Sequence, residues 1–151
     1  MSGLYIHIPF CRKACNYCDF HFSTQLNSMN RMVQGLAKEL KLRSSTPKIT
    51  IETIYFGGGT PSILTEKALD FLMETIKTYY NVSTSAEITL EANPDDIDAE
   101  KAKSWRRSGI NRLSIGIQTF SDKILKILNR SHTANQALKS IEWVRKAGFH
   151  N

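Results

Sequence analysis

The chain has 151 residues, 41% of them apolar and 23% charged, which suits a globular unit of about one domain with a core of ordinary size. Nothing approaches the ~20 apolar residues of a membrane span, and the N-terminal stretch lacks the basic and apolar regions of an export signal. The net charge of +6 is spread over helix faces (Lys38, Lys41, Arg43; Lys101, Lys103, Arg106, Arg107; Lys139, Arg145, Lys146) with no basic-and-aromatic strand motif beside it, so it reads as solvated surface and not as a nucleic-acid footprint.

Leu4 to Ile8 reads as a strand and leads into a cysteine loop. The spacing of Met32, Val33, Leu36, Ala37 and Leu40 predicts a helix from about Ser28 to Arg43. A second strand, Ile49 to Phe56, ends in Gly57-Gly58-Gly59-Thr60-Pro61. Thr65 caps a helix carrying Leu69, Leu72, Met73 and Ile76. Glu87 to Glu91 is a third strand, followed by a helix over Asp98 to Ser108 that Gly109 stops. Asn111 to Gln118 is a fourth strand. Ser121 is placed to cap a short helix, and Thr133 with Gln136 forms a capping box for a helix ending at Gly148. Strand and helix alternate throughout, which argues a parallel sheet with crossover helices.

Strands covered on both faces should be apolar throughout, but these alternate. Tyr5 and His7 oppose Leu4, Ile6 and Ile8; Glu87, Thr89 and Glu91 oppose Ile88 and Leu90; Arg112, Ser114, Gly116 and Gln118 oppose Leu113, Ile115 and Ile117. One face therefore lines something wet or liganded, as the interior of a β/α barrel or half-barrel does, with chemistry at the C-terminal ends of the strands. Cys11, the Gly57 to Thr60 turn, Glu91 and Gln118 all fall at that rim. Four βα units cannot close an eight-stranded barrel, and the last helix is expected to abut nothing. The expected fold class is thus α/β, a partial TIM-like (βα) barrel, with residues 1–151 forming the N-terminal part of a longer core domain.

Cys11, Cys15 and Cys18 are the only cysteines, grouped as C-R-K-A-C-N-Y-C. An odd count argues against a disulfide framework, and free thiols without an export signal fit a reducing cytosol. Soft thiolates select zinc, Cu(I) or iron–sulfur clusters. A zinc site recruiting His21 or His7 is one option; a four-iron cluster with one iron left open is another. Trp105 and Trp143, at helical spacing among apolar neighbours, read as core, and His7 as a hydrogen-bonding group inside the barrel.

With C-x-x-x-C-x-x-C after the first strand and G-G-G-T-P after the second, the chain resembles the radical S-adenosylmethionine (SAM) superfamily. The stretch Tyr5-Ile6-His7-Ile8-Pro9-Phe10-Cys11 is similar to the oxygen-independent coproporphyrinogen dehydrogenases and their relatives, the HemW heme chaperones. Tyr55 to Ser62, Glu91-Ala92-Asn93-Pro94 and Ser114 to Phe120 extend the likeness over essentially the whole chain. The resemblance implies that Cys11, Cys15 and Cys18 hold a [4Fe-4S] cluster and that SAM chelates the open iron, to be cleaved to a 5′-deoxyadenosyl radical when the cluster is reduced. It implies SAM contacts at Tyr5, Tyr17, Gly58, Gly59, Thr60, Glu91, Gln118 and Arg130. Tyr17 would pack near the adenine, Glu91 and Gln118 would meet the ribose and SAM, and Arg130 would lie near the SAM carboxylate. A Cβ on the glycines is expected to block the backbone's approach to the methionine group.

The dehydrogenases resembled carry a further cysteine two positions past the motif and a longer N-terminal extension. Here Phe20 stands at that position and the motif begins at Cys11. Both differences point to the HemW-like branch, which implies heme as cargo bound by a segment outside this chain, heme-acceptor proteins as partners, an electron donor, and no dehydrogenase activity. The alternatives are a coproporphyrinogen oxidative decarboxylase and a structural metal-binding module without SAM chemistry.

Overall fold

A computed structural model describes residues 2–44 and 49–151. Strands β1 (Gly3–Ile8), β2 (Thr50–Gly58), β3 (Asn81–Ala92) and β4 (Arg112–Ile115) form one parallel sheet in the order β1-β2-β3-β4. Helices α1 (Met29–Arg43), α2 (Glu66–Tyr79), α3 (Ala99–Arg107), α4 (Asp122–Ile127) and α5 (Ala134–Lys146) alternate with or follow the strands. The expected α/β half-barrel with four strand–helix units is the observed architecture.

Alternation along the strands decides the two faces. Ile6, Ile8, Ile54, Phe56, Ile88, Leu90 and Ala92 are buried beneath Val33, Leu40, Leu69, Leu72, Ile76, Ala102 and Trp105 from the helices. The other face carries a register row of Tyr5, Tyr55, Thr89 and Arg112 across all the strands. The core is thus one-sided, as strands with a period of two require. Trp105 is buried in it, as expected, whereas Trp143, also read as core, is only partly buried and packs at its edge.

Helix ends follow the predicted side chains. Thr65 accepts from the Ala68 amide, Asp98 from the Lys101 amide at 2.7 Å, and Thr133 with Gln136 forms the reciprocal capping box. Ser121 does precede α4, but its hydroxyl makes no cap bond. The neighbouring Asp122 instead accepts from the Ala134 amide, 2.7 Å away, at the start of α5.

Three expectations need correcting. Strand β3 begins at Asn81, well before Glu87, because the pairing with β2 shifts register between Ile51 and Thr53. The irregular Ser83–Ala86 stretch carries that shift, with the Ser83 hydroxyl accepting from the Ser85 amide, and an irregular pairing hides a strand from a period-two reading. Strand β4 stops at Ile115, short of Gln118. Beyond it the Ile117 and Thr119 amides turn back on the carbonyls two residues earlier, and Gln118 takes a φ of 65°. The Gly116 and Ile117 carbonyls are taken by the side chains of Arg130 and His132, so they do not continue a ladder. Finally, α5 does not lack a neighbour. It packs along α3, with Ala137, Ser140 and Val144 buried and Phe149 held under the Arg106 guanidinium.

Asn111 joins β3 to β4 before pairing begins. Its side-chain oxygen accepts from the Ile88 amide at 2.7 Å, and its amide nitrogen donates to the Ala86 carbonyl at 2.8 Å. Replacement by Ala leaves both backbone groups without these partners, and a stranded, partly buried group costs about 1–3 kcal/mol. Urea unfolding followed by circular dichroism should show Asn111→Ala destabilised by that order, with the slope unchanged.

Candidate metal centre and cofactor cavity

The loop after β1 carries the cysteines and is fixed at both ends. At its base the Cys11 amide donates to the Ser23 carbonyl (3.0 Å) and the Ser23 amide to the Pro9 carbonyl (2.8 Å). Its tip is fastened to the turn after α4: the Asn16 side chain donates to the Ile127 carbonyl, the Asn16 amide to the Leu128 carbonyl, and the Asn129 side chain to the Ala14 carbonyl. Asn129 has a φ of 58°, a left-handed conformation that asparagine tolerates better than most residues.

The loop closes over a cavity of about 260 Å³ at the C-terminal rim of the sheet. Cys11, Cys15, Cys18, Tyr17, Gly58, Gly59, Thr60, Glu91, Gln118 and Arg130 all line it, joined by Lys13, Phe20, Phe22, Ala92, Asn93, Ser114 and Gly116. Of the predicted site residues only Tyr5 is not among the lining groups. It stands on the open face of the sheet, its ring stacked on Tyr55 and its hydroxyl 3.1 Å from His7 Nδ1. That bond gives His7 the hydrogen-bonding place expected for it.

The three thiols are free. Among the described residues no three His, Cys, Asp or Glu side chains are grouped to hold a single ion, and His21 is exposed outside the cavity. The sulfurs border a volume instead. Thr60, buried, donates to Cys11 Sγ at 3.3 Å, and Arg130 directs one terminal nitrogen at Cys15 Sγ and the Tyr17 hydroxyl, each at 3.4 Å. Burial pushes the Cys11 thiol up, and the Thr60 hydroxyl opposes that shift. The Tyr17 phenol is raised chiefly by burial, with the Arg130 charge pulling it down.

Glu91 accepts from the Tyr55 hydroxyl (2.7 Å) with one oxygen and from the Gly58 amide (3.1 Å) with the other. Each oxygen keeps a second lone pair for a ligand hydroxyl. The glycines already have an explanation within the protein itself. A Cβ at Gly58, whose φ is 117°, would come within 2.7 Å of the His7 ring, and one at Gly59 within 2.6 Å of the Phe10 carbonyl oxygen. The packing of this turn against β1 already demands glycine there, whatever approaches from the cavity.

Asn93, Ser114 and Gly116 also line the cavity, although the sequence reading gives them no site role and all three lie in the motifs quoted above. The signal was present, because Asn93 continues the period-two series Glu87, Thr89, Glu91 past the strand end, and Ser114 and Gly116 lie within the series from Arg112. Asn93 accepts from Arg130 at 2.7 Å and donates to Thr60 at 3.3 Å.

Three free thiols beside a polar cavity at the C-terminal rim of a parallel α/β half-barrel are a soft donor set placed where such folds carry their chemistry. Residues 5–151 match the family model described as the radical SAM superfamily, and the chain belongs to that superfamily. It is 40% identical to the heme chaperone HemW of Bacillus subtilis, over 100% of this chain and 41% of that protein. It is 35% identical to an oxygen-independent coproporphyrinogen III oxidase of Bradyrhizobium diazoefficiens, over 98% of this chain and 34% of that protein. Among solved structures, the coproporphyrinogen III oxidase HemN of Escherichia coli, a radical SAM enzyme, superposes with a TM-score of 0.91 at 28% identity, covering 98% of this chain and 35% of that one. The chain spans about two-fifths of the length of the curated HemW relative.

One buried group supports the cavity wall from behind. The His132 side chain is fully buried, with Nε2 3.1 Å from the Ile117 carbonyl and Nδ1 3.9 Å from an Asp95 oxygen. Burial holds its imidazole below the ordinary range, outweighing the opposing pull of the Ile117 carbonyl and Asp95. The unfolded chain therefore takes up this proton first as pH falls through about 6.5, and stability is lost on acidification. The melting temperature should drop between about pH 7 and pH 5, and His132→Gln, which retains a donor for Ile117, should flatten that part of the profile.

Proposed function

We propose that this chain is the cluster- and SAM-binding part of a HemW-type heme chaperone, whose whole protein binds heme and delivers it to acceptor proteins. The observation that carries the choice within the superfamily is Phe20. It lines the cavity, 74% exposed, at the position where the dehydrogenases resembled carry a further cysteine. Likeness to the HemW of Bacillus subtilis over the full chain supports the same choice. The second reading is an oxidative decarboxylase of coproporphyrinogen, favoured by the Bradyrhizobium relative and by the HemN superposition. A purely structural metal module accounts for the thiols but not for a cavity walled by Glu91, Asn93, Gln118 and Arg130.

The residues present fit a [4Fe-4S] cluster and SAM. Cys11, Cys15 and Cys18 are the soft donor set and would ligate three irons, leaving one iron for SAM. When bound, the pair supplies reductive cleavage of SAM by an electron from a separate donor. The chain's own part is to hold and polarise. Thr60 and Arg130 offer donors to two of the thiols. Glu91 pins the Gly58 amide at the cavity wall. Arg130 Nε is buried without a partner among the described residues, a donor left over for an anionic group such as a carboxylate. Heme and its acceptor would engage parts of the protein outside residues 1–151. Free thiols suit a cytosolic protein, and no helix among the described residues is long and apolar enough to cross a membrane.

Anaerobic reconstitution of the full-length protein should give about four irons and four sulfides per chain. Cys11→Ala, Cys15→Ala and Cys18→Ala should each abolish this uptake, while His21→Ala should keep it; iron and sulfide analysis checks the set. Stoichiometric zinc without broad visible absorbance would restore the zinc reading.

The loaded full-length protein should bind heme, read by its Soret band, and transfer it to an acceptor hemoprotein. It should not decarboxylate coproporphyrinogen when given SAM and reductant. Multiple turnover to protoporphyrinogen would establish the dehydrogenase instead.

A further inference from the structure

Thr60, in the turn after β2, and Arg130, between α4 and α5, reach different cysteines, yet one side chain lies between them. Asn93 Oδ1 accepts from Arg130 at 2.7 Å, and Asn93 Nδ2 donates to Thr60 Oγ1 at 3.3 Å. Only this orientation of the carboxamide works, because the flipped amide would set its NH2 against the guanidinium. The Thr60 hydroxyl oxygen accepts from Asn93, so its hydrogen is left to point at Cys11 Sγ, 3.3 Å away. Arg130, held by Asn93 and by the Gly116 carbonyl at 2.6 Å, keeps its other terminal nitrogen on Cys15 Sγ. Asn93 is itself fixed from behind. Its backbone N–H donates to Ser62 Oγ, whose hydroxyl donates to the buried Asp96, and Asp96 in turn accepts from the Nε of Arg12, the residue next to Cys11. The chain of hydrogen bonds thus starts and ends in the cysteine loop.

We propose that Asn93 is a positioning residue for the thiolate centre: by fixing Thr60 and Arg130 it directs hydrogen bonds at Cys11 and Cys15 and thereby raises the centre's reduction potential. The inference rests on the cluster reading above. Reduction adds negative charge to a cluster, and donors to its sulfurs stabilise the reduced form, so hydrogen bonds of this kind lift the potential. No bound SAM is needed for the effect.

The test is a double-mutant cycle on the reconstituted full-length protein, read by iron content and by EPR-monitored redox titration. Asn93→Asp still accepts from Arg130 but has no donor for Thr60, so the Thr60 hydrogen turns to the carboxylate and leaves Cys11. Thr60→Val removes the same bond directly, and Thr60→Ser restores it. Both Asn93→Asp and Thr60→Val should load about four irons and shift the midpoint potential negative, and Thr60→Ser should return it. The added carboxylate charge is separated out by the cycle: the shift from Asn93→Asp should be smaller on the Thr60→Val background than alone. Wild-type potentials in loaded variants, or shifts that add in full, would overturn the positioning role while leaving the cluster reading intact. If Asn93→Asp fails to fold, a loaded Thr60→Val at the wild-type potential overturns it alone. A wild-type protein that takes up no cluster overturns both.

Discussion

The site depends on where one guanidinium is placed. Arg130 reaches the Gly116 carbonyl, Asn93, Cys15 and the Tyr17 hydroxyl at once. A cation drawn out of water is tolerated only when its donors find acceptors, and the acceptors here come from three different parts of the chain. The cysteine loop, the end of β3 and the segment after β4 are therefore held around the cavity by a group that follows all of them in sequence. Taking the Gly116 carbonyl also helps explain why β4 is short. A carbonyl bonded to Arg130 is no longer free for a ladder, and the backbone turns into the cavity wall, with Gln118 at a positive φ.

That arrangement needs a sheet with one dry face. The apolar residues of β1 to β3 are buried under α1, α2 and α3, so the opposite face is free to carry Tyr5, Tyr55, Thr89 and Arg112 in one row. A sheet covered by helices on both faces would also bury Tyr5, which is exposed here, whereas Thr89 in the middle of the row is already buried by its neighbours. The strand C-termini open on the same side, and the polar positions of β2, β3 and β4 run on into the cavity lining. Period-two alternation is thus both the folding signal and the reason the lining is polar.

Much of this was legible in the sequence, because it was written in short-range patterns. The strands, the capping residues Thr65, Asp98 and Thr133, and the rim positions follow from alternation, helical spacing and turn chemistry. What was not legible came from long-range competition for backbone groups. Nothing local says that the Gly116 and Ile117 carbonyls will be taken by Arg130 and His132, or that Asn16 and Asn129 will fasten the cysteine loop to the turn after α4. The register shift near Ser83 was equally hidden, since an irregular pairing breaks the pattern that announces a strand. Asn93 is an intermediate case. Its period placed it on the polar face, but its two hydrogen bonds to site residues emerge only when the fold brings Thr60 and Arg130 together.

The glycine turn shows why a motif alone gives an incomplete physical account. Gly58 and Gly59 border the cavity, so a ligand-centred explanation of their small size is natural. Yet the nearest obstacles to a Cβ are His7 and the Phe10 backbone, both part of the protein. The turn must lie this close to β1 for the Gly59 amide to donate to the Ile8 carbonyl at 2.9 Å, while on its other side the Gly58 amide meets Glu91 of β3. Those two bonds set the cavity wall and bring Thr60 to Cys11. Glycine here shapes the cavity indirectly: it lets β2 end against β1, and that junction places the next residue's hydroxyl on a thiol.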